Sequence, residues 1–397
     1  AGAPSELLDP LATSGVVPAG ASALQPGAAA PGLPVLDPNA CSGCGRCWIA
    51  CPDSALGVSV LGTEALFTGA SRLVGPAGTQ GPAADALRRA HKHLAGRLGG
   101  QLTKAEAGSL SLEACQEGWN WLAGQLKLSD EDRPAHDEAF EATAALVARL
   151  HPVVTGPFFN EPEQQKKGDG ELLILTLDPR SCVGCGLCVE SCPEDALQLA
   201  EPTPERIAAL EEEWRLWEGL PDTAGTTLAR AAEHPDVGSL ASVLLSRHCA
   251  QAQVGGAAGE PGSGERLAGR LVAALLEHHS QRQLAKLVGT LEEQRSTLEQ
   301  RVREQLAEGL SATDMDTLSE ALSGVAGGRV EIAALGERLD ALGAQTRFDR
   351  RAALRMARLA GGLELSRQRL AEGEDGLGRA RFGVMVTRGA VADWAAR

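Results

Sequence analysis

Two stretches of this chain, CSGCGRCWIACP (41–52) and CVGCGLCVESCP (182–193), carry the same cysteine spacing, C-x2-C-x2-C-x3-C-P. Of the ten cysteines, all but Cys115 and Cys249 lie in these two blocks. Such close spacing suits metal ligation far better than structural disulfides and points to a reducing compartment. The copies agree beyond cysteine. Leu36-Asp37-Pro38 matches Leu177-Asp178-Pro179, Gly43 and Gly45 match Gly184 and Gly186, and Ala55-Leu56 matches Ala196-Leu197. Each copy is therefore expected to run strand, ligand loop, short helix beginning just after the Cys-Pro, then a second strand. Glycines between the ligands allow unusual backbone angles and let amide N–H groups approach sulfur. Pro52 and Pro193 fall where a first helical turn needs no N–H.

The rest of the chain reads as mainly helical. It has no Tyr, only 3% aromatic residues and abundant Ala, Gly and Leu, which favours helices packed through small and aliphatic side chains. Residues 1–34 are an Ala/Gly/Pro-rich linker with little means of building a core. Residues 35–203 hold both cysteine blocks around a helical insertion at about 62–168. Three helices are expected within it, from AADALRRAHKHLAGRL, SLEACQEGWNWLAGQL and HDEAFEATAALVARL, by their three- and four-residue apolar spacing. GELLILTLDP (170–179) reads as a strand leading into the second block.

Residues 204–375 read as a helical region. One helix centres on PERIAALEEEWRLWEGL, with Trp214 and Trp217 on one face, and a further apolar helix covers 238–252. In GGAAGEPGSGE, Ser263 reads as a helix cap. From about 265 to 370, Leu284, Leu287, Leu291 and Leu298, then Ile332, Leu335, Leu339, Leu342, Met356, Leu359, Leu363 and Leu370, keep approximate heptad positions. An antiparallel helical hairpin like a short coiled coil is expected there. Residues 376–397, with RFGVMVT as a strand and GAVADWAAR as a helix start, read as the beginning of a further strand–helix element cut short. The fold class expected is α+β.

A formal charge of −15 argues against a nucleic-acid binder, which would show a clustered basic face. No stretch approaches the roughly 18 uninterrupted apolar residues of a membrane span, and no basic-then-apolar leader is seen. A cytoplasmic location is expected.

C-x2-C-x2-C-x3-C-P resembles the signature of bacterial two-cluster ferredoxins, in which three closely spaced thiolates hold one [4Fe–4S] cluster and the fourth reaches the other. That resemblance implies one cluster on Cys41, Cys44, Cys47 and Cys192, and a second on Cys182, Cys185, Cys188 and Cys51. Zinc is the alternative, but all-cysteine zinc sites typically use two well-separated C-x2-C pairs. The order of elements, with LASVLLSRHCAQA, EPGSGERLAGRL and GLGRARFGVMVTRGAVADWAAR, is similar to the ferredoxin section of large fused pyruvate (2-oxoacid):ferredoxin oxidoreductases. The resemblance implies an electron exit path from a thiamine diphosphate and magnesium site elsewhere in the assembly to ferredoxin or flavodoxin. Neither a thiamine diphosphate motif nor a further four-cysteine set is present, so no complete catalytic site is expected here. With Ala1 in place of Met, an internal section of a longer polypeptide, or one subunit of a complex, is expected. The alternatives are an iron–sulfur subunit of a hydrogenase or formate dehydrogenase type complex, and a scaffold with structural clusters.

Other features read as structural. Gly168-Asp169-Gly170 opens like a thiamine diphosphate motif, but no Asn follows Asn160 to complete a magnesium site. Cys115 and Cys249 read as small buried hydrophobes, and His248, His278 and His279 as packing or surface residues. Arg46 and Trp48 flank Cys47 where Leu187 and Val189 flank Cys188, so the two sites are expected to differ in electrostatic surroundings.

Overall fold

The computed structural model of the chain describes residues 16–18, 30–74, 82–105, 108–126, 133–255, 260–309, 350–371 and 383–385. It divides into two units, Ala1–His278 with Phe382–Arg397, and His279–Arg381. In chain order the first unit contains β1 (Val16–Pro18), β2 (Leu33–Leu36), α1 (Arg46–Ala50), β3 (Leu56–Gly62), α2 (Thr63–Leu73), α3 (Pro82–Ala105), α4 (Leu112–Leu126) and α5 (Arg133–Arg149). A π-helical turn (Gly156–Asn160) leads into α6 (Glu161–Gln165), β4 (Glu171–Leu177), α7 (Leu187–Glu190), β5 (Leu197–Ala200) and α8 (Pro204–Gly219). Next come α9 (Gly225–Glu233), α10 (Gly238–Val243), α11 (Arg247–Ala250) and the long α12 (Gly264–Gly309). After α13 (Arg350–Ala371) the chain returns to the first unit in β6 (Gly383–Met385), which pairs antiparallel with β1. The architecture is mixed, with small antiparallel sheets among many helices, and is compatible with a ferredoxin-type domain.

The two cysteine segments meet through exchanged strands. β2 pairs with β5, setting Leu36 opposite Leu197, and β3 pairs with β4, setting Leu56 opposite Leu177. Each of these two sheets thus takes one strand from either copy. Two further backbone bonds repeat the exchange, Asp37 N–H to Ala196 C=O and Asp178 N–H to Ala55 C=O, both 2.8 Å.

β3 reads LGVSVLG and is buried along nearly its whole length, because both faces of the β3–β4 ribbon are covered. Alternation sends Val58, Val60, Leu173 and Leu177 to the side of the cysteine loops. Leu61, Leu172 and Ile174 go to the other side, among Leu94, Leu98, Trp119, Leu122, Phe140 and Val147 of α3, α4 and α5. There Phe140 stacks between Phe67 and Trp119, with ring centroids 6.0 and 4.8 Å away. Trp217 of α8 donates from Nε1 to Ser59 Oγ at 2.8 Å. A Cβ added at Gly57 would stand 2.7 Å from the Trp214 ring and 3.0 Å from that of Trp217. The strand therefore lies flat on the two tryptophans.

Several local details depart from the sequence reading. The short helices α1 and α7 precede the fourth cysteine of each block, and a turn rather than a helix follows the Cys-Pro. Gly45 and Gly186 start these helices from left-handed backbone, φ 83 and 78. The chain then leaves through Ser54 and Asp195, also left-handed at φ 53 and 51, which no continuing helix accommodates. The helix expected over 238–252 is two short ones. Asp222 breaks it, accepting from the Arg247 amide at 2.9 Å and the Ser246 hydroxyl at 3.2 Å. α2 and α9 had no separate place in the sequence reading.

In the second unit, Arg295 of α12 pairs with Glu364 of α13 at 3.4 Å, and Arg367 with Glu292 at 3.8 Å. This crossed pattern sets the two helices antiparallel. Buried seam positions include Leu284, Val302, Ala357 and Ala360, whereas Leu287 and Leu359 are 47% and 60% exposed. The expected seam residues Ile332, Leu335, Leu339 and Leu342, and the expected helix in GAVADWAAR, lie outside the described residues.

Candidate metal centre

The eight clustered cysteines separate into two groups, and each group draws on both sequence blocks. Cys41, Cys44 and Cys47 line a recess of about 310 Å³ together with Cys192 from the second block. Cys182, Cys185 and Cys188 line another of about 350 Å³ together with Cys51 from the first. The cause is local. A helix starting at Gly45 carries Cys47 on its first turn and delivers the chain past Ala50, so Cys51 leaves on extended backbone, φ −74 and ψ 112, away from its own loop. The exchanged strands bring the second loop to meet it.

Backbone N–H groups face the sulfurs. Ala55 N–H donates to Cys51 Sγ and Ala196 N–H to Cys192 Sγ, each at 3.3 Å. The amides of Gly43, Trp48, Gly184, Leu187 and Val189 also bond cysteines of the two groups and favour their anionic forms. Burial acts the other way and prevails. It pushes the Cys41 thiol up to about 11 and those of Cys182 and Cys188 up to about 12, with repulsion from neighbouring cysteines adding to it. Cys47 is raised well above the usual thiol range by burial, then by Cys41, Cys188 and Cys44. Cys47 and Cys188 are where the two groups adjoin.

The donor set fits an iron–sulfur group. Four cysteines stand around each recess, amide donors point at sulfur, and binding a cation would draw the protons from the buried thiols. Among the described residues, no group of three or more His, Cys, Asp or Glu side chains is arranged to hold a metal ion as it stands.

Two of the glycines between the cysteines have steric reasons to be there. A Cβ on Gly184 (φ 67) would stand 2.7 Å from the carbonyl oxygen of Gly32, and one on Gly45 2.6 Å from Ala241 Cβ. Trp48 is buried at 1% exposure and donates from Nε1 to Ala241 C=O at 3.2 Å, whereas Arg46 is exposed. Cys115 and Cys249 are buried, in the helical core and beneath the cysteine loops respectively.

Sequence reasoning missed a second group at the turn after Cys51. Arg266 of α12 donates from Nε to Asp53 Oδ1 at 3.0 Å, both side chains being nearly inaccessible. Arg270, one turn on and 1% exposed, donates to the carbonyls of Trp48 and Cys51 at 2.8 Å, of Ile49 at 3.3 Å, and to the Ser54 hydroxyl. Nothing local marks these arginines, because the partners that tie them to the turn, Asp53 for one and Trp48 for the other, lie more than two hundred positions away in sequence.

Comparison with known proteins bears on the two cysteine segments themselves. The 4Fe-4S binding domain family matches twice, over residues 34–56 and 175–198. A pyruvate-flavodoxin oxidoreductase of Rhodospirillum rubrum is 34% identical over 94 residues, covering 22% of this chain and 7% of that protein. An NADH-quinone oxidoreductase subunit I of Pelobacter propionicus is 30% identical over 86 residues, covering 20% of this chain and 44% of that protein. An iron-sulfur component of the CoB--CoM heterodisulfide reductase of Methanopyrus kandleri is 37% identical over 51 residues, 13% of this chain and 8% of that protein. The chain thus spans less than half the length of each of these relatives. Two of its segments match the 4Fe-4S binding domain family, which supports iron–sulfur electron transfer, and it resembles in part a pyruvate-flavodoxin oxidoreductase. Among the described residues, no helix is long and apolar enough to cross a membrane.

Proposed function

We propose that the two segments form one pseudo-twofold, two-cluster ferredoxin-type domain serving as the electron-exit section of a 2-oxoacid:ferredoxin oxidoreductase. Cys41, Cys44, Cys47 and Cys192 would hold one [4Fe–4S] cluster, and Cys182, Cys185, Cys188 and Cys51 the other. The observation that carries this reading is the interleaved lining of the two recesses, each taking three cysteines from one block and the fourth from the other. Bound there, such clusters supply one-electron transfer at low potential. The chain's part is to hold them as thiolates, aim amide dipoles at sulfur and exclude water by burying Cys47, Cys51, Cys182 and Cys188. Cys47 and Cys188, adjoining each other, bring the two sites into direct succession.

The 2-oxoacid assignment draws on the Rhodospirillum rubrum relative. On this reading thiamine diphosphate and magnesium belong to neighbouring domains or subunits, and ferredoxin or flavodoxin collects the electrons outside. The relatives from an NADH-quinone oxidoreductase and a heterodisulfide reductase favour a second reading, an electron-transfer section of a different redox complex. The proposed domain limits are 35–203 for the ferredoxin-type part and 204–375 for the helical region.

Two measurements decide between these readings. Anaerobically purified chain should carry about eight irons and eight acid-labile sulfides, two cubanes' worth; one or two zinc ions with no visible absorption would end the iron–sulfur reading. The native assembly should contain thiamine diphosphate and reduce viologen dye only when given a 2-oxoacid and coenzyme A. An assembly free of thiamine diphosphate and rich in flavin or molybdenum would favour the second reading.

A further inference from the structure

The turns after Cys51 and Cys192 repeat one backbone in two opposite settings. Ser54 and Asp195 hold matching left-handed angles, φ 53 and 51. In each copy the next amide bonds the cysteine sulfur at 3.3 Å. After Cys192 the turn carries Glu194 and Asp195, both exposed. After Cys51 it is covered, Asp53 and Ser54 being 3% and 2% exposed, and α12 places Arg266 and Arg270 against it.

Arg266 and Asp53 form a buried ion pair and largely offset each other. The partners of Arg270 are three carbonyl groups and one hydroxyl. These satisfy the hydrogen bonds of the guanidinium without supplying a full negative charge. A buried cation in neutral company is costly unless an anion stands close by. Asp53 also acts on Arg270 but is shared with Arg266, and the other anions close by are the thiolates around the recess of Cys51, Cys182, Cys185 and Cys188, because Arg270 grips the carbonyl of Cys51 itself. The pseudo-equivalent turn is solvent-exposed and carries two carboxylates, Glu194 and Asp195.

We propose that Arg270 is a positioning residue that raises the reduction potential at the site of Cys51, Cys182, Cys185 and Cys188, leaving the site of Cys41, Cys44, Cys47 and Cys192 without such help. The inference rests on the two-cluster reading above. One-electron reduction adds a negative charge at a site, the electron coming from the donor domain or, in a titration, from dithionite. A desolvated cation fixed against Cys51 favours the reduced form, and little solvent is present to screen it.

The test is a mediated redox titration of the anaerobically purified full chain, followed by electron paramagnetic resonance. Arg270→Gln should lower one midpoint by a tenfold or greater change in the reduction equilibrium, about 59 mV for a one-electron couple, and leave the other in place. Arg270→Lys keeps the charge and should restore the wild-type value. Ser54→Asp sets a carboxylate against Arg270 without removing it, on a backbone that already carries Asp in the second copy. It should lower the same midpoint, and it decides the matter if Arg270→Gln fails to load iron. Unmoved midpoints in fully loaded variants, equal shifts at both sites, or Arg270→Lys displaced as far as Arg270→Gln would overturn the inference alone. Wild-type chain without iron–sulfur signals would overturn the two-cluster reading and this inference with it.

Discussion

Cys51 belongs to one loop by sequence and faces the other loop in space. Its sulfur accepts from Ala55 N–H and lines the recess of Cys182, Cys185 and Cys188, while its carbonyl is held by Arg270. In the proposed ligand sets, Cys51→Ala should therefore remove the cluster whose other three cysteines lie more than a hundred positions downstream. The measurement is iron content together with electron paramagnetic resonance. Iron should fall to about half, and the surviving signal should be the one that Cys44→Ala loses. If Cys51→Ala and Cys44→Ala lose the same signal, ligation is not interleaved. The cysteine spacing made the proposed ligands legible residue by residue. It carried no sign of Arg266 or Arg270, since an arginine on a long helix looks like any solvated charge until packing buries it.

Among the helices, α8 binds the strand layer to the rest of the unit. It begins at Thr203, whose side chain accepts from Arg206 N–H at 3.3 Å, with Pro204 in its first turn. Trp214 and Trp217 are on the face expected of them, against Gly57 and Ser59. Glu213, on the same helix, is partly buried. Burial raises its carboxyl from 4.5 to about 7, against a lowering by Arg149. A carboxyl raised on folding binds its proton more tightly in the folded chain, so stability declines as pH rises from about 4.5 towards 7 and stays lower above it. Glu213→Gln should therefore melt higher than wild type at pH 8, by a few degrees after solvent screening is allowed for, and show a smaller gain at pH 5. Thermal unfolding at the two pH values checks it; an equal difference at both would remove Glu213 as the cause. Sequence periodicity located α3, α4 and α5 but merged α10 with α11, because the break comes from Asp222, a carboxylate in a preceding loop.

For the molecule as a whole, the long stretch between the cysteine blocks is an excursion rather than a separator. Its helices return the chain to β4 beside β3, and closing a longer loop costs only about 0.6 kcal/mol per doubling of its length. A protease site introduced between α4 and α5 and cut under native conditions should leave both fragments co-eluting with unchanged iron, because β2–β5 and β3–β4 each join one fragment to the other. Fragments that separate, each with half the iron, would contradict the exchanged pairing. The sequence alone determined the chemistry: a repeated C-x2-C-x2-C-x3-C-P dictates close-set thiolates, and its flanking Leu-Asp-Pro and Ala-Leu pairs mark a duplicated unit, since both are local patterns. The tertiary structure alone decided how alike the two halves remain. Arg46 and Trp48, the differences visible beside Cys47, are an exposed charge and a packed indole bound to Ala241. The charge that distinguishes the two turns arrives on α12 as Arg270, because buried electrostatics depend on which distant side chain is desolvated against a site, and no local pattern encodes that.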